Sequence, residues 1–285
     1  MLLITAFAWG LNWPVLKLAL SEWPPLSFRL FSSMSGVILM AGVAIARGET
    51  LRPPRGQWGR LILAGVLNVF SFVGLATLSL LWLEASEAAI IAYTMPVWAA
   101  LFAWPILGER PNAWRVAGLL SGIAGVAVLL AGQALTAPSA VLIAKLPGIA
   151  CILATALMFA LGAVLTKRAP INMPPASNVA WQVLFGSIPL FAGALLFDRA
   201  PLAHVGPLGW GCLAYVAVIA LCAAYLAWFR ALKLLPASMA AIGTLLVPVI
   251  GVLSSGIVLG ETIGLREITA LCLTIGGVAL ATRGG

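Results

Sequence analysis

The sequence predicts an all-α integral membrane protein, and its composition, its hydropathy and an internal repeat carry that prediction. Of 285 residues, 62% are hydrophobic and 8% are charged, whereas a soluble domain carries about 25% charged residues. A chain with so little charge cannot cover a water-facing surface, so most of its surface must face lipid. The lipid bilayer is therefore the first partner that the sequence implies.

Continuous apolar runs fill almost the whole chain, and they predict membrane helices rather than the alternating strands of a barrel. A helix needs roughly 20 apolar residues to cross the hydrocarbon core of a bilayer. We expect ten transmembrane helices, over residues 2–20, 26–46, 60–81, 85–106, 112–131, 146–166, 178–197, 208–232, 237–258 and 264–282.

The loop charges predict the orientation of these helices. With the N-terminus inside, eleven of the sixteen Lys and Arg residues fall on the cytoplasmic side and five on the opposite side. The positive-inside rule therefore places both termini in the cytoplasm. Because the net charge of +8 is concentrated in short loops between apolar runs, it serves orientation, and we expect no nucleic-acid partner.

Motifs for catalysis, nucleotide binding and metal ligation are missing from the sequence. The four cysteines lie inside apolar runs without metal-ligand spacing, which favours packing over disulfide or metal roles. The sequence contains no His-Glu-x-x-His, no Gly-x-Ser-x-Gly and no P-loop. We therefore expect no enzyme, no metal site, no cofactor and no transport driven by ATP hydrolysis.

The two halves of the chain resemble each other. Placing residues 85–132 over 237–284 without gaps gives 17 identities in 48 positions, about three times the number that shared composition predicts. The matches include Pro96 with Pro248 and a Leu-Gly-Glu sequence in each half. An internal repeat is therefore predicted.

The earlier part of the chain continues the repeat, since an offset of 150 aligns Lys17 with Lys167. The predicted repeats are residues 1–132, with helices 1 to 5, and residues 145–285, with helices 6 to 10. Because five is odd, the second half enters the membrane from the opposite side, so the repeats are inverted. Inverted repeats are typical of secondary transporters, which bind substrate near the midplane between the repeats. A purely structural membrane subunit would leave the repeat without a purpose.

Several of these motifs carry a family resemblance that covers essentially the whole chain. The opening AWGLNW over residues 8–13, the Pro96…Gly108-Glu109 segment and its echo Pro248…Gly260-Glu261 resemble the drug/metabolite transporter superfamily. Within it, the chain is similar to EamA-type ten-helix exporters, including bacterial exporters of aromatic and other neutral amino acids. The resemblance implies a bacterial inner-membrane exporter with a central cavity lined by helices 1, 3, 4, 6, 8 and 9.

Midplane positions on those helices are the candidate substrate-binding residues. Asn12 and Asn68 are the strongest polar candidates, because a buried amide needs a helix neighbour, water or a ligand as its partner. The aromatic candidates could stack on a substrate ring or receive an amine, or could serve packing alone. The full set is Trp9, Asn12, Trp13, Asn68, Phe72, Tyr93, Trp98, Phe159, Tyr225 and Thr244.

Prolines and two charged residues suggest moving parts. Pro14, Pro96 and Pro248 lie within apolar runs, where a proline favours a kink. Pro96 and Pro248 are repeat equivalents, so we expect paired bends that help the halves switch; static kinks are the alternative. Arg29 and Glu87 are expected near the outer face, where they could pair as a gate or face the surface.

None of the eight acidic residues is predicted to lie at the centre of the membrane. Their positions bear on whether transport is driven by a proton gradient. Proton-coupled carriers usually need a titratable relay inside the bundle, so we expect facilitated diffusion or exchange driven by the substrate gradient rather than proton antiport. Taken with the resemblance, the sequence predicts an amino-acid exporter, and we expect it to function as a monomer. An exporter of drugs, lipophilic cations or another small metabolite, with or without proton coupling, is the alternative. Binding a lipophilic cation would call for a midplane carboxylate.

Overall fold

In the computed structural model, the chain folds into a bundle of helices. The structure describes residues 1–110, 112–136, 139–198, 205–234 and 245–283. We label the helices in chain order as α1 (Leu2–Ala19), α2 (Pro25–Ala46), α3 (Trp58–Ser79), α4 (Ala85–Leu107), α5 (Ala113–Thr136), α6 (Ser139–Arg168), α7 (Pro175–Phe197), α8 (Pro207–Ala214, Tyr215–Ala223 and Ala224–Leu234), α9 (Leu246–Leu259) and α10 (Leu265–Arg283).

Within the described residues, seven helices are long and apolar enough to cross a membrane, namely α1 to α4 and α6 to α8. Their mean hydropathy runs from 1.3 in α1 to 2.4 in α6. Shorter apolar helices are present in α5, over Ala113–Leu129, and in α9, over Leu246–Leu259. The prediction of an all-α, multi-pass membrane protein is confirmed at this level. The predicted start of the ninth helix, at residue 237, lies outside the described residues.

Two helices are interrupted close to a proline. α1 breaks at Leu11, just before Pro14, and α4 breaks after Ala92, just before Pro96. Each proline sits in the first turn of the helical segment that follows, where its missing N–H leaves no hydrogen bond unmade. Pro248 likewise lies in the first turn of α9. These three positions are the ones that the sequence suggested as hinges.

Two helices contain a π-helical stretch at matching positions in the two halves. α3 is π-helical over Gly65–Leu75 and α8 over Tyr215–Ala223. Their starting residues are 150 apart, since 215 − 65 = 150, which is the offset that aligns Lys17 with Lys167. π-helical turns are rare and are frequent at functional sites.

The helix packing is also paired between the halves. α2 packs against α7 and α5 packs against α10, so these contacts join equivalent helices. The contact of α1 with α9 matches that of α6 with α4, and the contact of α3 with α7 matches that of α8 with α2. Exchanging the first five labels for the second five therefore preserves the main contacts.

α2 and α7 cap each other's N-termini. The backbone N–H of Ser27, in α2, donates to Oδ2 of Asp198, which follows α7, at 2.6 Å. The backbone N–H of Ser177, in α7, donates to Oε2 of Glu49, which follows α2, at 3.1 Å. Because a carboxylate satisfies orphan N–H groups and favours the positive end of the helix dipole, these bonds fix the two helices antiparallel.

Candidate binding cavity

A cavity of about 420 Å³ lies between helices of both halves. Its walls come from α1, α2, α3 and α4 in the first half and from α6, α7, α8 and α9 in the second. Most lining residues are apolar or aromatic, with a few polar side chains among them. This size and this lining are typical of small-molecule sites.

The structure brings most of the predicted substrate-binding residues together in this cavity. Pro96 also lines it, whereas Trp98 does not and instead donates its indole N–H to Oγ1 of Thr94 at 3.0 Å. Thr244 lies outside the described residues. The predicted residues in the wall are Trp9, Asn12, Trp13, Asn68, Phe72, Tyr93, Phe159 and Tyr225.

One aromatic cluster joins α1 to α8. The Trp9 ring meets the Tyr225 ring edge-on, with centroids 5.4 Å apart, and lies 5.8 Å from the Trp228 ring. The Trp9 indole N–H donates to the backbone oxygen of Ala220 at 3.0 Å, which fixes the ring in the wall. Edge-to-face pairs of this kind add stability beyond their buried area.

A second aromatic cluster joins α1, α3 and α6. The Phe72 ring lies 6.2 Å from that of Trp13 and 5.7 Å from that of Phe159. Trp13 is 3% exposed and packs in the hydrophobic core. The cavity therefore has aromatic surfaces contributed by both halves of the chain.

The amide side chains of Asn12 and Asn68 supply hydrogen-bonding capacity to this apolar wall. Within the described part of the chain, the Oδ1 atoms of both residues are buried without a hydrogen-bond partner. Asn68 Nδ2 donates to Oε1 of Gln182 at 3.5 Å, so the amide is held on one side. A buried acceptor without a partner costs about 1–3 kcal/mol, which a ligand that donates hydrogen bonds would offset.

Arg29 lies in the cavity wall and not in a gate with Glu87. Its Nε donates to the backbone oxygen of Val73 at 2.9 Å, and the residue is 4% exposed. Glu87 forms ion pairs with Lys145, at 3.0 Å, and with Arg266, at 3.9 Å. The structure thus gives each residue of the suggested gate a different set of partners.

Sequence reasoning missed Arg29 and Trp228 as cavity residues. Trp228 follows Tyr225 by three residues, so the helical period places both side chains on one face and could have revealed it. Arg29 lies about one turn into α2, near the end of the helix where the sequence placed it, but no pattern indicated that its side chain enters the cavity wall. That became clear only from its contact with Val73.

The ion pairs of Glu87 lie near the N-terminus of α4, and a second group of ion pairs, around Glu109, follows its C-terminus. Glu109 pairs with Lys167 at 2.6 Å and with Arg115 at 3.4 Å. The hydrogen bond from Lys167 holds the pKa of the Glu109 carboxyl below its usual range. Because Lys167 belongs to α6, this ion pair links the second half of the chain to the first.

Comparison with known proteins relates both halves of the chain to one family of transporters. The model of the EamA-like transporter family matches residues 1–131 and 146–283. The uncharacterized transporter YvbV of Bacillus subtilis (strain 168) is 30% identical, over 95% of this chain and 87% of that protein. A probable amino-acid metabolite efflux pump of Salmonella typhimurium is 27% identical, over 97% of this chain and 91% of that protein.

A solved crystal structure shares the fold. It is similar with a TM-score of 0.69 at 24% sequence identity, and the match covers 100% of this chain and 99% of the other. The family that the sequence motifs indicated is confirmed by the match over both halves. The chain belongs to the EamA-like transporter family.

Proposed function

We propose that this transporter exports aromatic and other neutral amino acids by alternating access through the cavity between its two halves. The observation that carries the proposal is the wall of that cavity, which combines aromatic rings with the amides of Asn12 and Asn68, whose oxygens are buried without a hydrogen-bond partner among the described residues. An ammonium group would donate to such oxygens, and an aromatic side chain would pack against such rings. The name of the Salmonella typhimurium relative, a probable amino-acid metabolite efflux pump, points to the same class of substrate.

The proposed architecture is ten transmembrane helices in two inverted repeats, with both termini in the cytoplasm of a bacterium and the chain in the inner membrane. The matched π-helical stretches, the paired helix contacts and the reciprocal caps of α2 and α7 support the repeat. Two equivalent halves exchange conformations at little net cost, which opens one site alternately to each side. Because the cavity lies within a single chain, we propose a functional monomer.

The prolines of α4 and α9 mark the proposed hinges. Pro96 lines the cavity at the break in α4, and its equivalent Pro248 lies in the first turn of α9. A bend next to the site lets one half of a helix move while the other stays packed. Pro14 has the same position after the break in α1.

Export of lipophilic cations is the weaker candidate. Among the described residues that line the cavity, none is an Asp or a Glu. A buried cation without a carboxylate partner is costly, and cation–π contacts alone recover only about 2 kcal/mol. The described wall therefore favours amino acids over cationic drugs, and it supports exchange without proton coupling.

Counterflow in liposomes tests the proposal. Vesicles with the purified protein are preloaded with one unlabelled neutral amino acid, and uptake of the labelled amino acid is followed without a pH or ion gradient. The proposal expects strong exchange for several aromatic and neutral amino acids. Exchange that is seen only for cationic drugs, or only under an imposed proton gradient, would overturn it.

A further inference from the structure

We propose that Arg29 binds a carboxylate of the transported molecule, so that the cavity selects substrates that carry a carboxylate. The proposal rests on the proposed function, because it concerns the same cavity, and it adds the chemical group by which a substrate is recognised. It also gives a role to the guanidinium that the sequence assigned to a gate with Glu87.

The Arg29 side chain is anchored by one hydrogen bond, and at least one of its other donor atoms has no partner among the described residues. It is 4% exposed, and its Nε donates to the backbone oxygen of Val73 at 2.9 Å. Within the described part of the chain, its Nη1 atom is buried without a hydrogen-bond partner. A guanidinium anchored through Nε has its remaining donors in a rigid plane, the geometry that suits the two oxygens of a carboxylate.

The charge of the cavity wall favours an anionic group. Among the described lining residues, Arg29 is charged and none of the others is. A buried charge without a counterion costs several kcal/mol, and a partner of opposite sign offsets much of that cost. A carboxylate in the cavity would therefore be stabilised, whereas a molecule with only a positive charge would be repelled.

The π-helical stretch of α3 carries both the anchor of the guanidinium and a hydrogen-bond acceptor of the wall. Val73, which anchors Arg29, and Asn68, whose Oδ1 is buried without a partner, both lie in Gly65–Leu75 and both line the cavity. They are five residues apart, which is one turn in the i→i+5 pattern of a π-helix, so they share a face. The cavity wall thus offers both a donor for a carboxylate, from Arg29, and an acceptor for an ammonium, from Asn68.

Three variants and a pair of matched substrates test the proposal. Phenylalanine carries a carboxylate and phenethylamine does not, and the two share their ring and amine. Counterflow of each is compared in wild type, Arg29→Gln, Arg29→Lys and the control Arg47→Gln, whose side chain is exposed at the end of the same helix. Arg29→Gln is expected to lower phenylalanine exchange about 10- to 100-fold, the range for a hydrogen bond to a charged group.

The ratio of the two substrates separates recognition from a structural role. The proposal expects the preference for phenylalanine over phenethylamine to fall in Arg29→Gln, to recover partly in Arg29→Lys and to stay unchanged in Arg47→Gln. Loss of both activities in equal measure, or an unchanged ratio, would overturn the role of Arg29 and leave amino-acid transport in place. If Arg29→Gln fails to fold, competition between unlabelled compounds and labelled substrate on the wild-type protein tests the proposal instead.

On wild type, 3-phenylpropionate, which lacks the ammonium, is expected to raise the melting temperature and to compete with labelled substrate better than phenethylamine does. The reverse order, or no stabilisation by any carboxylate, would overturn the proposal. Exchange of 3-phenylpropionate that Arg29→Gln abolishes, with no exchange of amino acids, would support the role of Arg29 and contradict the proposed function. The experiments therefore distinguish a failure of the role of Arg29 from a failure of the proposed amino-acid transport.

Discussion

Glu261 accepts a hydrogen bond from the backbone N–H of Ala85 at 2.7 Å, and its second carboxylate oxygen accepts one from Ser86 at 2.9 Å. Glu261 follows α9 in the second half of the chain, whereas Ala85 begins α4 in the first half. A carboxylate at this position satisfies orphan N–H groups and favours the positive end of the helix dipole. The Gly-Glu motif of the second half therefore holds the two halves together at one end of the bundle.

Removing this cap should destabilise the protein. We expect Glu261→Ala to lower the free energy of unfolding by about 1–2 kcal/mol, the usual cost of a lost N-terminal cap. Thermal melting of the purified protein in detergent measures the effect. Glu109→Ala is the matched control, since Glu109 is the repeat equivalent, is 32% exposed and pairs with Lys167 in the structure, an arrangement worth little. Equal losses in the two variants would contradict the role of Glu261.

The reciprocal caps of α2 and α7 should act independently. Asp198→Ala and Glu49→Ala are each expected to cost about 1 kcal/mol. α2 has 22 residues, so the two caps lie about 33 Å apart. Losses at that separation add, so the double variant should lose the sum in the same melting experiment. A double variant no less stable than either single one would show that only one cap matters.

Gly162 should be essential to the position of Asn68. A Cβ atom at Gly162 would lie 2.0 Å from Asn68 Oδ1, so Gly162→Ala must displace the amide. We expect exchange to be lost, while Gly42→Ala, where a Cβ would meet nothing within 4 Å, should exchange normally. Combining Gly162→Ala with Asn68→Ala should recover part of the stability but not exchange, because the new Cβ would still lie 2.9 Å from the Cβ of Leu67. Full activity of Gly162→Ala would remove Asn68 from the proposed site.

Pro96→Ala should slow turnover without weakening binding. Alanine at this position could donate its N–H to the carbonyl of Ala92 and join the two segments of α4, which would stiffen the proposed hinge. The maximal exchange rate is expected to fall several-fold, while stabilisation by bound substrate is unchanged. An equal loss of binding and rate would indicate instead that Pro96 serves as a wall of the cavity.

These expectations depend on features that the sequence revealed to different degrees. The apolar runs located the helices. Pro14 and Pro96 indicated where α1 and α4 are interrupted, because proline lacks the backbone N–H that a continuous helix needs. The π-helical stretch Gly65–Leu75 could not be predicted in this way, since the same apolar residues fit an α-helix. The partner of Arg29 left no signal in the sequence either, because no pattern shows which backbone oxygen a buried guanidinium meets; the structure pairs it with Val73.

The ion pair of Glu109 with Lys167 should respond to acid alone. The pKa of Glu109 is lower in the folded protein than its ordinary value of 4.5, so the pair contributes stability that is present above the ordinary value. That contribution is lost as the pH falls through the lowered pKa. The melting-temperature difference between wild type and Glu109→Gln should therefore be constant near neutral pH and vanish in acid. A difference that grows in acid would contradict this sign.

The proposed function requires that an amino acid is bound and exchanged at the cavity that both halves form. Side-by-side counterflow of labelled phenylalanine by wild type and by Asn68→Leu, at equal protein content and without an ion gradient, tests it most directly. We expect rapid exchange by wild type and a loss of about 10-fold or more in the variant, because a buried acceptor for the ammonium is removed. Equal exchange by both proteins would place the substrate elsewhere, and no exchange by wild type would contradict amino-acid transport itself.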